Sequence, residues 1–453
     1  MKKTHVLFIV LALLLLITPV FLGRLHDDEV LKWQISKNTV SGKFLVNLSG
    51  GNFMRDGFFP IFFVSPFLLV NDHIFIARIV SLFFTLGSAY LLYYIAKIFY
   101  DEKAALASFF LFILSFHTLR FGYRFMFDQY GLFFLLLTLF LLLKKRFLLA
   151  GVACFLMIFS RVYWIALLPF FLIYLVYEEK ENQIKKVGFF IIPPLLLAFL
   201  FLFTALLSGF ISNLNNMPVL VILSEFPWQS LVSISLIQSW VEVISLNILT
   251  FIGLVFALEK KPYSLIVLSP ILAISLIPGF IVSGGTTHYI LGLQGVFALV
   301  AGNGLFRLYQ RLSLAEGKFI PTLVAIILIQ FLGLSIASTH LSYVSVGVQD
   351  WGFWQDQEVI DLLEEKAKKG DLVVGVHGAF VENVEWRWAE LNVEKALDYD
   401  PDWFIIYPRM VKVENNSAVE CYSIPPYLVI HSVTSRPLND SISVRDFKFW
   451  RLR

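Results

Sequence analysis

The sequence predicts a polytopic α-helical membrane protein of about eleven transmembrane helices, followed by a small soluble α/β domain. Three observations carry this. The chain is 58% hydrophobic and 16% aromatic with 15% charged residues, against roughly 25% charged in an ordinary globular domain. Its apolar stretches are separated by short polar loops whose Lys and Arg content alternates, as the positive-inside rule requires. From about residue 340 charged residues become frequent and no further spanning segment occurs.

The first span, 5–23, follows Lys2 and Lys3. No small-residue cleavage pattern follows Phe21-Leu22-Gly23, so it reads as an uncleaved helix rather than a signal peptide. Further spans are expected at 73–99, 104–120, 127–143, 147–160, 163–177, 187–208, 241–258, 263–282, 288–305 and 319–338. Segments 147–160 and 163–177 are short and read either as two crossings or as one bent, re-entrant pair around Arg161. Lys97, Lys103, Lys144-Lys145-Arg146, Lys180, Lys185-Lys186, Lys260-Lys261, Arg307, Arg311 and Lys318 then share one side. That arrangement puts the chain in the cell membrane with the N-terminus cytoplasmic and the C-terminal domain extracytoplasmic. Asn-x-Ser/Thr tripeptides at Asn47, Asn415 and Asn439 all fall on the outer side, weak support because such tripeptides are common by chance.

Two aromatic-rich pieces are too short to cross. One runs from Phe58 to Val70 and is broken by Pro60 and Pro66; the other is 228–240. Both are expected to lie along the outer surface of the bundle. The domain division is therefore 1–339 for the membrane part and 340–453 for the soluble part. In the latter, Val359, Ile360, Leu362, Leu363 and Ala367 have helical spacing within 356–369, and Gly370 is a helix stop. Segments 371–376 and 403–407 are short apolar runs bounded by turn residues, hence strands. A net charge of +3 spread along the chain does not point to nucleic acid. Cys154 and Cys421 fall in different compartments and form no disulfide framework or thiolate metal site.

Charged groups at one level of such a bundle are the candidates for chemistry. Asp27-Asp28-Glu29 follows the first span at the outer boundary, where position alone is compatible with a solvated acid cluster. Arg120, Arg124 and Asp128 stand at the next outer turn and Arg161 between two short spans. Interface anchoring or snorkelling is the plain alternative for the arginines. Together, carboxylates and arginines at a membrane mouth match transfer from a phosphate-linked lipid donor. A carboxylate acts as general base on an acceptor hydroxyl or amine, and arginines hold the leaving phosphate. The same charges would also serve a transporter or flippase of lipid-linked sugars, although no inverted repeat is visible. A structural or assembly protein is a third reading, with the membrane charges incidental.

The order of these residues resembles the dolichyl-phosphate-mannose protein mannosyltransferase and lipid A aminoarabinose transferase group of GT-C membrane glycosyltransferases. Asp28-Glu29 stands where that family has its first-loop Asp-Glu pair, whose Asp is taken as catalytic base. Pro60 with its following aromatics and Ala77-Arg78 resemble the segment that leads into the second helix. Asp128 matches a second-loop Asp, Ser160-Arg161 a Thr-Lys motif that handles donor phosphate, and His288-Tyr289-Ile290-Leu291 an Arg-Tyr-Leu-Leu motif. The sequence departs from the family in lacking a Lys-Pro-Pro, in Arg161 for Lys and in His288 for Arg; Arg55 is the replacement candidate for the missing loop cation. The resemblance covers about residues 5–310. It implies a GT-C fold and an inverting transfer of sugar from a polyisoprenyl-phosphate donor to a protein, glycan or lipid acceptor. It also implies Asp28 as base, with Glu29 and Asp128 positioning the acceptor or a divalent ion. Arg161 with Arg55, Arg124 and His288 would bind the donor phosphate. Asp28 and Asp128 are compatible with Mg²⁺ or Mn²⁺ without requiring either.

Overall fold

The computed structural model describes residues 27–42, 59–71, 73–178, 183–207, 290–311, 353–374, 385–387, 402–406, 419–424 and 427–432, with parts of 13–22 and 319–325. They divide into two compact units, Met1–Val20 with Asn52–Gln349, and Phe21–Gly51 with Asp350–Arg453. Helix α1, Asp27–Val40, belongs to the second.

The first unit is helical. The described parts of 13–22 are helix, in keeping with a first span. Helix α2, Phe59–Leu68, is the aromatic piece that sequence placed at the interface. Phe59 packs edge-on to Phe134 at 5.1 Å and Phe63 to Phe84 at 5.2 Å, while Phe67, Leu69 and Val70 remain exposed. Helix α3, Ile74–Phe99, has 26 residues and is therefore about 39 Å long, more than the ~30 Å of a hydrocarbon core. Among the described residues this one helix is long and apolar enough to cross a bilayer. His73 caps it, its Nδ1 accepting from the Phe75 amide at 3.3 Å.

Residues 104–120 form two helices instead of the single span expected: α4, Glu102–Ile113, and α5, Phe116–Phe121. Ser115 makes the break. Its hydroxyl accepts from the Thr118 amide at 3.4 Å, an N-cap that starts a new helix. Helix α6, Phe127–Leu143, and helix α7, Phe147–Ser160, match expectation. After Arg161, which is extended, a 3-10 turn, Val162–Leu167, leads into α8, Leu168–Glu178, so the regular helix is interrupted at Arg161. Helix α9, Gln183–Leu207, and helix α10, Ile290–Arg311, complete the unit among the described residues. The expected pieces 228–240, 241–258 and 263–282 lie outside them, as does most of 319–338.

Small residues let these helices approach closely, as membrane helices require. Gly302 of α10 lies against Ser108 and the Ala104 carbonyl of α4, leaving no room for a Cβ. The Ser108 hydroxyl also donates to Leu299 O at 3.2 Å. Gly151 of α7 meets the Phe190 carbonyl of α9. Pro194 has no N–H to give that carbonyl the bond of a regular helix, which frees it at the point of contact.

In the second unit α1 opens with Asp27-Asp28-Glu29 in its first turn, the helix end where acidic residues are favoured. Helix α11, Phe353–Lys366, buries Val359, Ile360 and Leu363 and is followed by Gly370 at φ 92°, the left-handed turn glycine permits. Strands β1 Leu372–Val374, β2 Glu385–Arg387, β3 Trp403–Ile406, β4 Val419–Ile424 and β5 Tyr427–Ser432 form one sheet in the order β2-β1-β3-β5-β4. β1 runs parallel to β2 and β3, while β5 is antiparallel to β3 and β4. Asp371 ties helix to sheet, accepting from the Lys368 amide at 2.8 Å and from Trp403 Nε1 at 2.9 Å.

Candidate functional site

The turn between α5 and α6 and the start of α6 form the most enclosed polar region described. Every residue from 121 to 130 is buried. Phe121, Tyr123, Phe125, Met126, Phe127 and Tyr130 supply the apolar anchors. Thr85 and Ser81 of α3 tie them down by donating to Gly122 O at 2.5 Å and by sharing a hydrogen bond with the Tyr130 hydroxyl at 3.1 Å. This fixes the backbone that carries Arg124 and Asp128.

Asp128 sits in the first turn of α6, and Arg161 is the extended residue that ends α7. Their side chains meet face to face. Arg161 Nε donates to Oδ1 at 3.1 Å and its NH2 group to Oδ2 at 2.7 Å, with side-chain exposures of 1% and 0%. Such a bidentate pair fixes the guanidinium plane as well as its position. The Phe127 ring lies 5.6 Å from the same guanidinium. Arg161 is thus held in the interior by a carboxylate, which removes snorkelling as its explanation.

Arg124 is also buried, at 3% exposure, so it does not anchor at an interface. Its Nε donates to the Tyr123 hydroxyl at 3.2 Å, and its guanidinium lies 5.7 Å from the Phe121 ring and 5.6 Å from that of Tyr123. Arg78 of α3 approaches Tyr123 as well, its guanidinium 5.4 Å from the ring, while NH1 donates to Val20 O at 3.1 Å. Three guanidinium groups therefore touch the eight-residue stretch 121–128 within cation–π or ion-pair range. Gln129 adds its amide, with Nε2 donating to Phe121 O at 3.4 Å and to Arg124 O.

Of the residues singled out from sequence, Asp128 and Arg161 meet here, and Arg124 is buried in the turn that leads into the same helix. Asp28 and Glu29 lie in the first turn of α1, where Glu29 is fully buried rather than solvated. Arg55 and His288 lie outside the described residues. Sequence reasoning places Arg78 only within a motif and passes over Tyr123 and Gln129. An arginine inside a 26-residue apolar helix is the available signal for the first; nothing in spacing marks the other two. Among the described residues no three His, Cys, Asp or Glu side chains gather as a metal donor set. A divalent cation at Asp128 would also meet the Arg161 guanidinium, whose charge opposes it.

Neither a protein-family model nor a curated protein matches the sequence. Solved structures do match in fold. ArnT from Cupriavidus metallidurans bound to undecaprenyl phosphate superposes with a TM-score of 0.60 at 12% identity, over 96% of this chain and 99% of that one. This chain has the GT-C fold. Archaeal oligosaccharyltransferase AglB from Archaeoglobus fulgidus, in complex with an inhibitory peptide and a dolichol-phosphate, gives 0.54 at 11% identity over 97% and 75% of the two chains. A complex of the Archaeoglobus fulgidus oligosaccharyltransferase with Zn and sulfate gives 0.53 at 12% identity over 96% and 74%. Both proteins are GT-C glycosyltransferases.

Proposed function

We propose that this chain is an integral membrane glycosyltransferase that moves a sugar from a polyisoprenyl-phosphate donor to an acceptor hydroxyl or amine at the outer face of the cell membrane. The buried arginine cluster around 121–128 carries the reading, because a fold shared with transferases whose structures hold polyprenyl or dolichyl phosphate needs a place for an anionic head group. Arg161, oriented by Asp128, and Arg124 and Arg78, oriented by Tyr123, are the donor-phosphate ligands, with Arg55 and His288 as further candidates. Guanidinium groups already fixed in place neutralise leaving-group charge without reorganising at the moment of reaction.

In the reaction the acceptor oxygen or nitrogen forms a bond to the anomeric carbon as the bond from that carbon to the phosphate oxygen breaks. The electron pair leaves with the phosphate, toward the arginines, and the acceptor proton passes to Asp28 as general base. Attack opposite the leaving group inverts the anomeric centre. Glu29 and Asp128 are positioning residues, the latter through Arg161. The N-terminus is cytoplasmic and residues 340–453 form an extracytoplasmic α/β domain. A transporter of lipid-linked sugars is the second reading, but no observation on this chain favours it over transfer.

The test is reconstitution of purified protein with a radiolabelled polyprenyl-phosphate sugar and membrane extract. Label should move to an acceptor, and Asp28→Asn should abolish the movement while undecaprenyl phosphate still binds. Transfer that persists in Asp28→Asn removes Asp28 as base. Flipping of the donor between leaflets without transfer would replace this reading with the transporter.

A further inference from the structure

The amide of Gln129 takes no part in the proposed transfer, yet it is bound to the main chain of the turn that carries Arg124. We propose that Gln129 is the positioning residue that sets Arg124 for the donor phosphate, an inference that rests on the reading of that cluster as the phosphate site. The tight turn 121–126 is closed by two main-chain bonds: the Arg124 amide donates to Phe121 O at 3.1 Å and the Met126 amide to Arg124 O at 2.7 Å. Gln129 Nε2 donates to those same two carbonyls, Phe121 O and Arg124 O. One side chain thus bridges the first residue of the turn and the residue that bears the guanidinium. Because the Arg124 guanidinium lies over the Phe121 ring at 5.7 Å, the bridge also holds the ring and the cation in register.

The chemistry of the amide settles its orientation. Carbonyl oxygens only accept, so the face that meets them must be the NH₂ group, and both of its hydrogens are committed. Oε1 then points away and has no hydrogen-bond partner among the described residues, although Gln129 is 1% exposed. A buried acceptor without a donor is unfavourable. The glutamine is therefore not held there for its oxygen, and its two donors are what the turn uses.

This asymmetry separates a positioning role from a structural one. In Gln129→Met, a side chain of similar length and no donors, both carbonyls keep their main-chain donors and the orphaned oxygen disappears. The thermal unfolding midpoint should stay close to that of the unaltered chain. Affinity for undecaprenyl phosphate should fall roughly tenfold, the scale of one misplaced charge-assisted hydrogen bond, and in transfer assays the change should appear in donor KM rather than kcat. Gln129→Leu serves as a second donorless variant if the methionine form is not recovered folded.

The experiment is a double-variant cycle on the full detergent-purified chain, with undecaprenyl phosphate binding as readout for the unaltered protein, Gln129→Met, Arg124→Ala and the pair. If Gln129 acts through Arg124, the pair binds no more weakly than Arg124→Ala alone. Losses that add, or a Gln129→Met protein that binds normally while Arg124→Ala is weakened, overturn the inference and leave the phosphate-site reading standing. Normal binding by Arg124→Ala removes Arg124 from the phosphate site and the inference with it. No binding by the unaltered protein removes both.

Discussion

Replacing Asp128 by Ala leaves the Arg161 guanidinium with its two strongest described contacts gone. That group is 1% exposed, and the contacts measure 3.1 and 2.7 Å. Two neutral hydrogen bonds would contribute about 2 kcal/mol between them. The greater cost comes from the buried positive charge left without its carboxylate, since removing one partner of an enclosed pair destabilises by about 3–5 kcal/mol. Arg161→Met should cost a similar amount for the mirror reason. The double replacement Asp128→Leu with Arg161→Met removes both charges and fills the space with apolar atoms, so much of the loss should return. Equilibrium unfolding in mixed micelles measures all four proteins, and undecaprenyl phosphate affinity is read on the same samples. Stability should recover in the double variant while binding does not. Single-variant losses that simply add, or restored binding in a protein lacking Arg161, would refute the argument.

Gly302→Val should separate α10 from α4, because the first added carbon overlaps Ser108 and the Ala104 carbonyl; a loss of about 1–3 kcal/mol is expected in the same unfolding assay, and an unchanged midpoint would contradict the close approach. Ser115→Ala removes the cap that restarts the helix at Phe116, with a cost of about 1 kcal/mol; a neutral result would mean the break is maintained by packing alone. Asp371→Ala removes the Asp371 carboxylate that accepts from the indole of the buried Trp403, for about 1–3 kcal/mol. The unfolding midpoint reports it, and identical unfolding of the two proteins would discount the bond.

Much of the helical pattern was legible because hydropathy is a local property. The ends of α3, α6 and α7 fall within a residue or two of the apolar runs that define them. The break at Ser115 was hidden for the same reason: a hydropathy window averages over it and does not register the cap hydrogen bond that starts α5. In the C-terminal sheet β1 and β3 were readable as apolar runs, whereas β2 carries Glu385 and Arg387, and β4 carries Glu420 and Ser423, which dilute the strand signal. The order β2-β1-β3-β5-β4 depends on pairings between segments far apart in sequence, and no single run encodes it.

The candidate site divides along the same line. Asp128, Arg124 and Arg161 stood out because charge in an apolar context is visible one residue at a time. Their partnerships were not visible. Asp128 and Arg161 are 33 residues apart, and whether the arginine faces water or a carboxylate depends on how α6 packs against α7. Arg78 gained its meaning from Tyr123 in the turn between α5 and α6, and Gln129 from two carbonyls in that same stretch. By itself the sequence determined that the chain is apolar enough for a membrane, where helices such as α3, α6 and α7 run and which residues carry charge among them. The tertiary structure alone decided which charges are enclosed and what each one touches, because Coulomb and hydrogen-bond energies depend on separation and burial, quantities that exist only once the helices have packed.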